Sequence, residues 1–283
     1  MEIVRRSEIS YEEFIENHVK PGIPIVFTNA SKVWKANGLL TPDWLRSKFG
    51  ERLTSHNNQD FTMNQILDLV ENSTESNPAP YPFLYNIPNQ LPELMEYIQP
   101  VGLNYALPNW IDSKLFKKGH WGNAIELFIG GPGGKFPYVH LDYYHLSAWV
   151  NQLYGEKRFT VFPRGQDHLL YPDPSNYWRS QVNIFDIDYD NFPLMKQATP
   201  ISFTVGPGET LYIPFGIWHS AYSLTPTLSV AFDQLSSHNS IDFIKDVWKL
   251  KKEYGKIKAA YNVGYATLSC MACKVGDIMG IKR

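Results

Sequence analysis

The chain opens with short amphipathic segments. In "SYEEFIENHVK" apolar residues recur at helical spacing behind a Ser that is followed three residues on by Glu, the signature of a capped helix. "IPIVFTN" is almost continuously apolar and too short for a helix, so it reads as a buried strand. "TPDWLRSKFG" offers Thr41 as cap, Pro42 at the first helical position and Gly50 as stop. "TMNQILDLVENS" and "LPELMEYIQP" are two further short helices around the Pro-rich "NPAPYPFLYNIPN". From about Trp121 the texture changes. "NAIELFIGG", "FPYVHLDYY", "SAWVNQLYG", "KRFTVFP", "ISFTVGPG", "TLYIPFG", "WHSAYSLT" and "LSVAFDQL" are short β-rich runs punctuated by Gly, Pro and Asp. That spacing predicts a sandwich or barrel rather than a parallel α/β sheet. From Ser240 the helical pattern returns in "SIDFIKDVWKLKKEYG" and in the small-residue-rich "KIKAAYNVGYATLSCMACKVGDIMG". The pattern as a whole predicts a mainly β fold. Residues 1–235 form one domain, with a helical wrapper over 1–120 and a barrel core over 121–235, and residues 236–283 form a C-terminal helical segment.

Composition adds exclusions. A chain of 283 residues with 43% hydrophobic and 19% charged residues is an ordered globular protein with a sizeable core. The formal net charge of −2 supplies no basic surplus for a phosphate backbone, so DNA or RNA binding is not expected. The local basic run "VWKLKKEYGKIK" reads as the solvated face of a helix. Cys270 and Cys273 form a single C-x-x-C without the second pair of a four-Cys zinc site, and read as buried structural thiols. The charged N-terminus lacks an apolar core, and no segment reaches the length of a membrane span. The expectation is a soluble, intracellular, cytoplasmic protein.

The chemistry concentrates in "PYVHLDYYHLSAW". His140 and Asp142 lie two residues apart, and side chains at that spacing share one face of an extended strand. His219, in "GETLYIPFGIWHSAYSL", is far enough along the chain to return on a neighbouring strand. Two His and one carboxylate on one face of an octahedral ion leave adjacent positions open, the facial triad of non-haem Fe(II) oxygenases. A structural zinc site is instead closed by four protein ligands. A keto-acid co-substrate needs a cation for its far carboxylate. Lys157 and Arg158 in "YGEKRFTVFP" are adjacent, so alternation turns only one of them toward the metal, and Lys157 is favoured. H-x-D alone is weak; the four residues together in a β-rich region are not.

These blocks resemble the JmjC/cupin-like family of Fe(II)- and 2-oxoglutarate-dependent oxygenases. They are most similar to its small hydroxylase branch, which includes the asparaginyl hydroxylase of hypoxia-inducible factor. The matching stretches are "HLD", "NQLYGEKRFTVFP" and "VGPGETLYIPFGIWHSAYSL", with "GIPIVFTNA" and "WLRSKFG" upstream. The resemblance implies a double-stranded β-helix, a cupin-type jelly roll with helices outside. It implies Fe(II) on His140, Asp142 and His219, and 2-oxoglutarate and O2 as co-substrates with Lys157 on the far carboxylate. A tyrosine on the same carboxylate falls on Tyr85, with Tyr81 close by. It also implies a homodimer through the C-terminal helices. Two positions depart from the family: Pro137 stands where a Thr is frequent, and Ala231 where an Asn is frequent.

The implied activity is hydroxylation of an unactivated C–H with release of succinate and CO2. A protein or peptide side chain is the favoured substrate, and a small molecule the alternative. A metal-binding cupin scaffold without activity is the rival from another class. A third reading, modification of a nucleic acid, rests on a tRNA-modifying branch member alone. The absence of a reader module argues against a chromatin demethylase. Tyr144, His145, Trp149 and Trp218, with Tyr143, flank the ligands and either line a substrate pocket or pack in the core. His18, His56, His120, His168 and His238 show no ligand spacing. "GGPGGK" lacks the P-loop pattern and reads as a hairpin before His140.

Overall fold

The computed structural model describes residues 2–116, 125–136 and 138–280. Pro137, His120 and Trp121 fall outside the described residues. The fold is mainly β, with helices before and after the sheets. Seven strands form the large sheet, in the order Val4–Arg6, Ile25–Phe27, Thr210–Ile213, Ser147–Tyr154, Thr227–Gln234, Ile125–Gly130 and Phe83–Asn86. Facing it is a three-stranded sheet of Ile201–Val205, Lys157–Phe162 and Trp218–Ser223. Single bridges extend its Trp218 edge: Lys135 pairs with Tyr222, and His140 pairs with both His219 and Arg179.

The wrapper is not purely helical, because three of its segments are strands of the large sheet. Chain neighbours cannot supply these edges; residues 4–6, 25–27 and 83–86 close the sheet by long-range pairing. The predicted helices otherwise form with the caps their sequences offer. Ser10 accepts from Glu13 N–H at 3.0 Å, Thr41 caps Pro42–Phe49, and Thr62 and Gln65 complete a reciprocal capping box on Met63–Glu71. "LPELMEYIQP" forms a 3-10 helix, Pro92–Tyr97, rather than an α-helix.

Strand alternation divides the molecule into layers. On the large sheet Trp149, Tyr212, Phe232, Leu127, Ile129, Phe83 and Tyr85 face outward onto Phe14, Trp34 and Leu45 of the wrapper. Ala148, Leu211 and Ile213 face inward and meet Phe159, Val161, Phe203 and Ala221 of the small sheet. The outer face of the small sheet carries Phe162 and Trp218, which pack with Val139, Leu141 and Trp178. The helices Ser240–Lys251 and Lys256–Ile278 close one end, packing Phe243, Val247, Ala266, Cys270 and Cys273 on Trp110, Phe116 and Leu146. Both cysteines are buried.

Candidate metal centre

The site lies between the sheets, at the edge where "HLD" joins the Trp218–Ser223 strand. His140 exchanges two backbone hydrogen bonds with His219, each 2.9 Å, which puts both imidazoles on one face with ring centroids 4.3 Å apart. Leu141 turns the other way into the outer core, so Asp142 returns to the side of His140. Asp142 is extended, at φ −63° and ψ 137°, and immediately precedes a 3-10 turn, Tyr143–His145. A tight turn at Gly216, φ +70°, leads into the His219 strand; a Cβ there would come within 3.4 Å of the His145 ring.

One donor atom from each of His140, Asp142 and His219 lies within 4.8 Å of the others. His219 Nδ1 hydrogen-bonds Ile217 O at 3.0 Å, which fixes Nδ1 as the protonated nitrogen and leaves Nε2 directed at Asp142 Oδ1, 3.8 Å away. His140 Nδ1 is buried with no hydrogen-bond partner among the described residues. Burial pushes the His140 imidazole well below its ordinary value, and His219 adds to the shift. A low-pKa imidazole is a neutral one, the form that ligates a metal. Burial raises the Asp142 carboxyl, opposed only in part by His219. A neutral imidazole, a carboxylate short of counter-charge and an orphaned ring nitrogen fit a divalent cation.

The triad opens on a cavity of about 510 Å³. Its lining includes Lys157 from the small sheet, and Ala148, Val150, Ala231 and Asp233 from the large sheet. Lys157 is 2% exposed and turned inward, whereas Arg158 beside it is exposed. Its Nζ lies 5.5 Å from the ring centroids of both Tyr81 and Phe128 and pairs with no carboxylate among the described residues. Burial alone brings its amine down to about 7.

Several expected residues stand elsewhere. Tyr85 does not reach the cavity: its register, opposite Leu127, sends it to the outer face, where its hydroxyl donates to Arg52 O at 2.9 Å. Tyr81 lines the cavity instead, and Gly130 makes the room, since a Cβ there would fall 2.5 Å from its ring. Trp149 also faces outward, its indole N–H donating to Gln234 Oε1 at 2.8 Å. Trp218 lies on the outside of the small sheet and donates to Asp167 Oδ1 at 3.0 Å. His145 turns away from the metal to Asp246 Oδ2, 2.5 Å away. Tyr144 and Tyr143 do line the cavity, as does Ala231. Sequence reading missed Glu126 and Asp233, two carboxylates on the inner face of the large sheet. A signal was present for Glu126, which interrupts the otherwise apolar "IELFIG"; Asp233 follows Thr227 and Ser229 on the same phase of its strand and stood out less.

A family model described as "Cupin-like domain" matches residues 11–234. The chain therefore belongs to the cupin-like family, the JmjC class that the metal motif defines. Among curated proteins it is 25% identical to the arginine-specific demethylase JMJ20 of Arabidopsis thaliana, over 89% of this chain and 61% of that protein. It is 23% identical to the bifunctional arginine demethylase and lysyl-hydroxylase psr-1 of Caenorhabditis elegans, over 82% of this chain and 60% of that protein. A shorter match, 34% identical over 40% of this chain and 24% of the relative, joins it to human HSPB1-associated protein 1. The chain thus spans about 60% of the length of the two demethylases. Among the described residues no helix is long and apolar enough to cross a membrane.

Proposed function

We propose that this chain is an Fe(II)- and 2-oxoglutarate-dependent oxygenase that hydroxylates a C–H bond of a protein or peptide side chain. One observation carries the reading: the His140–Asp142–His219 face and the unpaired amine of Lys157 share one cavity. Two imidazoles and a carboxylate are the donor set of an open Fe(II) site. When bound, iron and 2-oxoglutarate supply oxygen activation, ending in succinate, CO2 and one oxygen atom in the substrate. The protein's own part is position. The Ile217 carbonyl holds the His219 tautomer, and the His140 backbone bonds lock the two rings side by side. Lys157, protonated on binding, holds the far carboxylate of the co-substrate, while Val150, Phe159 and Ile213 keep the cavity wall apolar. The relatives JMJ20, an arginine-specific demethylase, and psr-1, an arginine demethylase and lysyl-hydroxylase, support a protein side chain over a small metabolite. We also propose a homodimer through the C-terminal helices.

The test is an anaerobic titration with Fe(II) and then 2-oxoglutarate, followed by the visible charge-transfer band of the chelate. The band is expected in the wild type and lost in His219→Ala. A folded, metal-loaded protein without the band would return the chain to a metal-binding scaffold.

A further inference from the structure

The geometry points to Arg179 as a docking residue for an acidic side chain of the substrate peptide, one or two places from the residue that is oxidised. The inference rests on the oxygenase reading and names a feature of its substrate outside the cavity.

The strand Asn176–Ser180 runs antiparallel beside "HLD". Leu141 N–H donates to Trp178 O at 2.9 Å and Ser180 N–H to Val139 O at 2.8 Å, which leaves His140 and Arg179 directly opposite one another between the two bonds. In such a pair the Cα atoms are roughly 4.5 Å apart and the side chains share a face. His140 pairs in the same way with His219 on its other side. His219, His140 and Arg179 therefore form one row across three adjacent segments, all on the metal side, while Trp178 turns into the outer core. Arg179 is exposed and stands outside the cavity lining. Its strand runs along the mouth, since Asn176 donates to the hydroxyl of Tyr143, a lining residue that is itself half exposed, at 3.2 Å.

The guanidinium is held but not neutralised. Its central carbon lies 3.8 Å from the ring centroid of Tyr138, and the Tyr138 ring meets the His140 imidazole edge-on at 5.9 Å. Stacking fixes the plane of the group and leaves its N–H fork free at the edges. Among the described residues it has no ion pair. Asp173, on the strand paired with Asn176–Ser180, takes the Ser175 N–H and hydroxyl instead, each at 2.7 Å. A second cation flanks the first: Lys249 Nζ lies 4.7 Å from the ring of Tyr177, although the buried Asp246 carboxylate, 3.5 Å away, already balances it in part.

Arg179 is too far from Lys157 to share its ligand. Lys157 lies four residues from Val161, the partner of His219, which is roughly 13 Å along the strand, and Arg179 lies across the sheet in another direction. A substrate side chain that reaches the metal brings its own backbone past the mouth, and neighbouring residues of an extended peptide then stand roughly 3–7 Å away, within reach of the guanidinium. A carboxylate there gains a bidentate partner whose conformation is already fixed, so little ordering entropy is lost on binding.

The experiment uses the full chain, loaded with Mn(II) and 2-oxoglutarate for calorimetry and with Fe(II) anaerobically for the charge-transfer band. The probes are pentapeptide amides with glutamate, or with glutamine, in the positions around a central lysine or arginine. The glutamate peptides are expected to bind about fivefold tighter than the glutamine ones, roughly 1 kcal/mol. Arg179→Met is expected to remove that preference and keep the band, and Arg179→Lys, which keeps the charge without the fork, to retain part of it. Equal affinity for the two peptides, binding of neither, or a preference undiminished in Arg179→Met, with the band present, overturns the inference and leaves the oxygenase reading standing. Tighter binding of a uridine oligonucleotide than of the glutamate peptides, lost in Arg179→Met, overturns the peptide as occupant and gives the rim to a nucleic acid. A glutamate preference that depends on Arg179 in a protein without any band does the reverse: the acid-docking rim stands and the oxygenase reading falls.

Discussion

Lys157 is the residue whose chemistry the fold changes most. In "YGEKRF" it is an ordinary strand lysine; folded, it is 2% exposed with its amine brought down to about 7 by burial. A lysine whose folded value is depressed below its unfolded one makes the unfolded chain bind more protons between the two values. The ligand-free protein is therefore expected to gain stability as pH rises above about 7 toward the unfolded lysine value. A dicarboxylate in the cavity reverses the shift by supplying the anion. At a pH above 7, 2-oxoglutarate binding is expected to take up close to one proton at Lys157, read by calorimetry in buffers of different ionisation enthalpy. Lys157→Met should abolish the uptake; uptake unchanged in that variant would place the proton elsewhere. Trp149 and Tyr85 teach the complementary lesson. Trp149 lies in a strand that lines the cavity and Tyr85 in the edge strand next to one that does, and both belong to the outward phase. One step of register decides between cavity and wrapper, and the sequence shows alternation without showing which phase faces inward.

At the scale of elements, the turn after Asp142 is held by a helix that comes about a hundred residues later in the chain. Tyr144 and His145 sit at φ 61° and 48°, left-handed values that cost a non-glycine residue roughly 1–2 kcal/mol each. The helix Ser240–Lys251 offsets that cost. Asp246, 0% exposed, accepts from His145 and, at 3.2 Å, from the Trp178 indole N–H, and Asn239 donates to His145 O at 3.0 Å. The matched family region stops at residue 234, so this clamp comes from outside it. Asp246→Ala leaves two donors without their acceptor and is expected to cost roughly 2–3 kcal/mol. The cost should appear as a lower denaturant midpoint at unchanged slope. Because the turn abuts Asp142, Fe(II) affinity should weaken as well, and Asp246→Asn, which keeps an acceptor, should recover part of both. Full Fe(II) affinity in Asp246→Ala would show that the turn holds its shape unaided.

At the scale of the molecule, the last helix has two opposed faces. Ala259, Ala266, Cys270 and Cys273 pack inward, while Ile257, Tyr261, Gly264, Leu268, Met271, Val275 and Ile278 form an outward row at alternating spacings of four and three. Ile257 is 90% exposed, Leu268 68% and Met271 60%, and a Cβ at Gly264 would touch nothing. Such spacing suits the seam of a helix pair, and the proposed homodimer would set a second copy of the same helix against it. Light scattering of the wild type at micromolar concentration is expected to give a dimer, and Leu268→Glu with Met271→Glu a monomer of unchanged thermal stability. A monomeric wild type would refute the seam.

The local signals in the chain determined its local outcomes. Capping residues placed the first helices, Gly and Pro punctuated the strands, and the H-x-D spacing set His140 and Asp142 on one side of an extended segment, because each of these depends on neighbours within a few residues. The resemblance of three ordered blocks carried the metal motif and the family. What only the tertiary structure decided are the questions of phase and long-range partnership. It turned Tyr81 rather than Tyr85 toward Lys157, took His145 from the cavity to Asp246, brought wrapper strands into the barrel sheet and set Glu126 beside Asp233. In each case the partner is remote in sequence, and the choice between two faces of a strand is made by whichever surface packs against it.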